Sequence, residues 1–102
     1  MKIVGITACI AGIAHTYIAK EKIITAATEL GHQVKIETQG SIGIEDELTA
    51  AEIAQADVVI LATDIKVSKD RFAGKPVVEI PIHMVMKSPK SVITSIAKKL
   101  GN

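Results

Sequence analysis

Lys2-Ile3-Val4-Gly5-Ile6-Thr7-Ala8-Cys9-Ile10-Ala11-Gly12-Ile13-Ala14-His15-Thr16 changes character half-way along. Residues 2–7 form a near-continuous apolar run, which predicts a strand buried on both faces. Residues 9–16 read as a loop of mostly small or apolar residues around Gly12, and a long helical segment follows at once. A thiol at a strand-to-helix turn lies beside the unpaired backbone N–H groups of the helix start. Those groups bind anions and favour thiolate over thiol. Cys9 is therefore the candidate nucleophile.

Working outward, residues 14–30 have helical periodicity, with Ile18, Ile23, Ala26, Ala27 and Leu30 on one side and Gly31 as the stop. Residues 33–38 alternate, Val34 and Ile36 against Lys35 and Glu37, which predicts a half-exposed strand at a sheet edge. Residues 39–43 read as a loop. Thr49 can cap a short helix to about Gln55, with Glu52 as its capping-box partner. Residues 56–63 are a second apolar strand, and a loop or helical turn at 68–72 ends at Gly74. Residues 76–80 are a further edge strand, interrupted by Glu79. Ser88 starts the last helix, with Pro89 at its first position and Val92, Ile93, Ile96 and Leu100 inward. The expectation is an α/β protein: one domain over 1–102, an open four-stranded parallel sheet in order 2-1-3-4, Rossmann-like, with helices on both faces. Cys9 then lies at the switch point between strands one and three, where such sheets bind ligands.

Composition supports one core. The chain has 102 residues, 48% hydrophobic and 23% charged, so one domain can bury Ile, Val, Leu and Ala. Aromatics are 2% and the net charge is +1, which removes both base-stacking platforms and a field for nucleic acid. One cysteine cannot form an internal disulfide, which suggests a reducing, cytoplasmic setting. Neither a signal peptide nor a run near the roughly 20 residues of a membrane span is visible, so a membrane role requires a partner.

The loop suits a phosphate. Gly12 allows the amides of Ile10, Ala11, Gly12, Ile13, Ala14 and His15 to curve around one anion, helped by the helix dipole. It is neither a Walker A loop nor a dinucleotide fingerprint. Cysteine-dependent phosphatases carry an arginine six positions after the cysteine, and here that position is His15. Without the fixed guanidinium, a phosphocysteine should be handed on more readily than hydrolysed. His15 can contact the phosphate or be only a helix-start residue. Thr16 can cap the helix, donate its hydroxyl to phosphate, or both. Gln39, Ser41 and Asp64 stand at the same end of the sheet and read first as turn residues. His32 reads as a solvated loop residue, and His83 as remote from the phosphate.

The stretch Cys9-Ile10-Ala11-Gly12-Ile13-Ala14-His15-Thr16-Tyr17, with Val34-Lys35-Ile36-Glu37-Thr38-Gln39-Gly40-Ser41-Ile42-Gly43, Ala56-Asp57-Val58-Val59-Ile60-Leu61-Ala62 and Arg71-Phe72-Ala73-Gly74-Lys75-Pro76, closely resembles the fructose-type enzyme IIB domain of the bacterial sugar phosphotransferase system. The resemblance implies that Cys9 accepts a phosphoryl group from a phosphohistidine of IIA. It implies transfer to a sugar held by the membrane permease IIC, with neither metal nor nucleotide cofactor. The family loop most often reads Cys-Pro-Thr-Gly-Ile-Ala-His-Thr. Ile10 and Ala11 replace its proline and threonine, so this loop lacks one rigid residue and one hydroxyl. Three competing readings predict other chemistry. A small cysteine phosphatase would release inorganic phosphate, a monothiol redox module would form mixed disulfides, and a non-catalytic binding domain would tolerate loss of Cys9.

Overall fold

The computed structural model describes residues 1–8, 13–40 and 43–100, without the side chains of 13 and 14. Its strands are β1 (Lys2–Ala8), β2 (Gln33–Gly40), β3 (Gly43–Glu45), β4 (Val58–Thr63) and β5 (Val77–Ile80). Its helices are α1 (Ile13–Glu29), α2 (Ala50–Gln55), α3 (Ile82–Lys87) and α4 (Pro89–Lys99), with a 3₁₀ turn at Asp70–Phe72. The sheet order is β3-β2-β1-β4-β5. All neighbours are parallel except β2 and β3. The four expected strands and their relative order are present, and the chain is an α/β domain.

The sheet has five strands rather than four. The short β3 turns back antiparallel on β2 and takes the outer position, so β2 is not an edge. Three residues with Ile44 exposed carry no alternation from which to read a strand. Two further differences concern helices. α3 follows Pro81 and buries only Ile82 and Val85, an i, i+3 pair too brief to stand out as a period. Ile18, Leu30 and Leu100 are exposed rather than inward, because the stripes that meet the sheet are narrower than the apolar periodicity.

Strand parity divides the core. Ile3, Ile36, Val58 and Ile60 face α1, α3 and α4, whereas Val4, Ile6, Val59 and Leu61 face α2 and the 3₁₀ turn with Leu48, Ile53 and Phe72. Residues Val58 to Ala62 are fully buried, and each large aliphatic side chain removed from water in this way contributes about 2 kcal/mol. Sequence punctuation sets the helix ends. Gly31 takes φ 84°, which lets its amide reach the Thr28 carbonyl and that of His32 reach Ala27, closing α1 with a Schellman motif. Thr49 and Glu52 form the expected capping box at the start of α2.

Gly5 leaves no room for a side chain between β1 and β4. A Cβ there would stand 2.6 Å from the Ile60 carbonyl oxygen, a backbone atom that cannot step aside. Gly5→Ala is therefore expected to destabilise the protein by about 2 kcal/mol, as overpacking does. Thermal unfolding checks this, and an unchanged melting temperature would show that the strands can part.

Candidate functional site

The carboxyl ends of three strands meet around Ala8. In register, Ala8 pairs with Gln39 on one side and Thr63 on the other. The Asp64 amide donates to the Ala8 carbonyl at 3.1 Å. The strand order reverses between β1 and β4, so Ala8 ends at the switch point and α1 begins from the same end of the sheet. Cys9, Ile10, Ala11 and Gly12 lie outside the described residues, as does Ser41, and of Ile13 and Ala14 only the helical backbone is described.

The described residues of the loop's far side fall in the first turn of α1. His15 is exposed. Thr16 lies within the helix rather than before it, so it is not the N-cap. Its carbonyl accepts a hydrogen bond from Thr7 Oγ1 at 3.1 Å, fastening the helix start to β1. Its own Oγ1 is buried without a hydrogen-bond partner among the described residues. A buried hydroxyl in that condition costs free energy until something bonds it.

Alternation places Glu37 outward with Lys35, and the structure corrects that expectation. Glu37 is 0% exposed, because the 3₁₀ turn and the segment before α2 cover its face of β2. Its carboxylate is fully hydrogen-bonded. Oε1 accepts from Arg71 Nη1 at 3.0 Å and from the Leu48 amide at 2.9 Å. Oε2 accepts from Arg71 Nη2 at 2.9 Å and from Gln39 Nε2 at 2.7 Å. Burial pushes the Glu37 carboxyl up. The bonds from Arg71, Gln39 and Leu48 outweigh that and hold it below its ordinary 4.5. Bonding to Glu37 in turn raises the Arg71 guanidinium.

Arg71 is the only arginine of the chain. Its fork is committed to Glu37, so it does not stand in for the guanidinium that a cysteine phosphatase needs. Reading by pattern missed this pair. The available signal was its occurrence in Glu37-Thr38-Gln39 and Arg71-Phe72, two of the stretches that carry the family resemblance.

Other candidates have partners within the fold. Gln39 belongs to β2 rather than to a loop and bonds to Glu37. Asp64 Oδ1 accepts from the Ile82 amide at 3.3 Å, at the start of α3. His32 is half-buried, with Nδ1 at 3.1 Å from the Met1 amino nitrogen, rather than a freely solvated loop residue. The β2–β3 hairpin is fastened to α1 by Tyr17 donating to Glu45 and by the Lys20–Asp46 ion pair. The Glu45 contact raises the Tyr17 hydroxyl, and Lys20 lowers Asp46. These contacts link the early part of α1 to the strand beside β2.

Residues 4–95 match the family described as the lactose/cellobiose-specific IIB subunit of the PTS system. The chain belongs to the PTS IIB family. Within it, this IIB protein is 47% identical over 101 residues to "PTS system fructose-like EIIB component 2" of Escherichia coli (strain K12), covering 98% of this chain and 95% of that relative. It is 44% identical to part of the "PTS system fructose-specific EIIABC component" of Bacillus subtilis (strain 168), over 90% of this chain and 14% of the longer relative. A crystal structure of a domain from a fructose-specific IIABC component of Borrelia burgdorferi superimposes with a TM-score of 0.87 at 44% identity, covering 92% of this chain and 90% of that one. The IIB protein is a phosphotransferase component of fructose type. Among its described residues no helix is long and apolar enough to cross a membrane.

Proposed function

We propose that this IIB protein carries a phosphoryl group on Cys9, taking it from a phosphohistidine of IIA and passing it to a fructose-type sugar during uptake through the membrane permease IIC. The observation that carries the reading is the family match across residues 4–95, which includes the whole candidate loop. The placement of Ala8 and Ile13 at the switch-point end of the sheet supports it. Related chains joined under the name EIIABC support IIA and IIC as the partners. The place of action is the cytoplasmic face of the inner membrane, reached through IIC.

In the first step the Cys9 thiolate attacks phosphorus in line. An S–P bond forms, the N–P bond of phosphohistidine breaks, and its electron pair returns to the imidazole. In the second step a sugar hydroxyl attacks phosphorus, its proton passing to solvent or to a base of the permease. An O–P bond forms, and the S–P electron pair regenerates the thiolate. Amides of Ile10, Ala11, Gly12, Ile13, Ala14 and His15 hold the equatorial oxygens, and the Thr16 hydroxyl, which has no partner among the described residues, is a further candidate donor.

The test is intact-protein mass after incubation with phosphoenolpyruvate, enzyme I, the histidine phosphocarrier and a fructose-type IIA. One added phosphate is the expected result, and no gain with several active IIA donors overturns the proposal. His15→Ala is expected to slow transfer by about tenfold without abolishing it, as loss of one donor to charge does. A native rate in that variant would return the exposed His15 to a structural role.

A further inference from the structure

We infer that Glu37 and Arg71 are positioning residues for phosphoryl transfer, acting through Gln39, whose carboxamide they hold beside the end of β1 as a hydrogen-bond donor to the phosphoryl group. The inference rests on the carrier reading above. Its starting point is an ion pair that stability alone does not call for. Taking the Glu37 carboxylate out of water costs free energy even beside a guanidinium that is itself 33% exposed, and replacing such a pair by well-packed apolar residues of similar size is often neutral or better. What the pair supplies is geometry. The planar fork of Arg71 fixes the carboxylate in orientation, and the Leu48 amide fixes it from a second element.

Gln39 receives that geometry. It is two residues after Glu37, so both side chains lie on the same face of β2. It stands opposite Ala8, one position before Cys9. The 2.7 Å bond to Glu37 Oε2 occupies one Nε2 hydrogen, and the carboxamide has no second bond among the described residues. An acceptor-only carboxylate makes Nε2, not Oε1, the atom that faces it. The second hydrogen on that nitrogen has no acceptor among the described residues, and Gln39 is on the strand beside β1, at the carboxyl end of the sheet. Glu37 adds no net charge against the phosphate, because Arg71 neutralises it.

The experiment measures single-turnover phosphorylation by phosphorylated IIA, with the maximal rate and the half-saturating IIA concentration read separately. Gln39→Ala is expected to lower the maximal rate about tenfold or more, with half-saturation and melting temperature native. The apolar replacement E37L/R71M is expected to fold and to transfer as slowly. Adding Gln39→Ala to it should slow transfer no further, since all three residues act through one contact. A native rate in Gln39→Ala, or in folded E37L/R71M, overturns the inference. Should E37L/R71M fail to fold, Arg71→Lys replaces it: retained charge without the fork should slow transfer, and a native rate overturns the role. Wild type that accepts phosphate while every variant matches it refutes the positioning role alone. Wild type that accepts none refutes the carrier reading, and this inference with it.

Discussion

Incubated with phosphorylated IIA, Cys9→Ser is expected to gain no phosphate while its melting temperature stays native. The substitution exchanges one atom, so packing is barely touched. The chemistry changes far more. A thiol in water already ionises within reach of neutral pH, at about 8.5, and its thiolate is the attacking form. A serine hydroxyl has no comparable anion near neutral pH and is a weak nucleophile without an activating base. The expected loss is at least about a thousandfold, the scale seen when a covalent nucleophile is removed. Intact mass against time measures it. Labelling of Cys9→Ser at the wild-type rate would move the phosphate to another residue and end the phosphocysteine assignment.

The second large effect is on stability. Arg71→Met leaves the Glu37 charge fully buried with only Gln39 and Leu48 as donors, and is expected to cost about 3 kcal/mol, the usual penalty for stranding one member of a buried pair. The pH dependence should change sign with it. In the wild type the Glu37 pKa is depressed in the folded state. Its contribution is present above the ordinary 4.5 and is lost as pH falls through the folded value. In Arg71→Met, burial dominates and raises the folded value. The variant then regains stability as pH falls through that raised value toward 4.5, where the protonated carboxyl no longer carries a buried charge. Urea unfolding of both proteins between pH 7 and pH 4 reads the difference. Parallel curves would mean that Glu37 is not ionised in the native protein. The same comparison discounts Asp46 and Glu52, whose lowered values contribute equally in both proteins.

Much of this molecule was legible in local pattern. Residues 2–7 and 56–63 are apolar on both faces because β1 and β4 are central and covered on both sides. A period-free run is the signature of that environment. Thr49 and Glu52, Gly31 and Pro89 are punctuation whose effect needs only the neighbouring turn, and each acts where expected. The candidate nucleophile was legible for the same reason: a cysteine between a buried strand and a helix has an address set by sequence order. Its phosphorylation is what the mass measurement decides.

Glu37 shows the limit. In a two-residue alternation a carboxylate beside Lys35 reads as solvent-facing, and for Lys35 that holds, since it reaches the half-exposed Glu52 at 2.8 Å. Glu37 is buried because Arg71, thirty-four residues later, arrives with a guanidinium to neutralise it. No local pattern encodes that meeting. The short β3 is another case, stabilised by pairing with β2, by the contact of Glu45 to Tyr17 and by the ion pair of the following Asp46 with Lys20 rather than by propensity. The sequence by itself determined the order and type of the main elements, the central strands and the end of the sheet where Cys9 follows β1. These depend on side-chain period, caps and the handedness of crossovers. Only the tertiary structure decided the fifth strand, the burial of the Thr16 hydroxyl and the Arg71–Glu37–Gln39 chain, because each depends on free energies of burial and pairing between residues that only the folded sheet brings together.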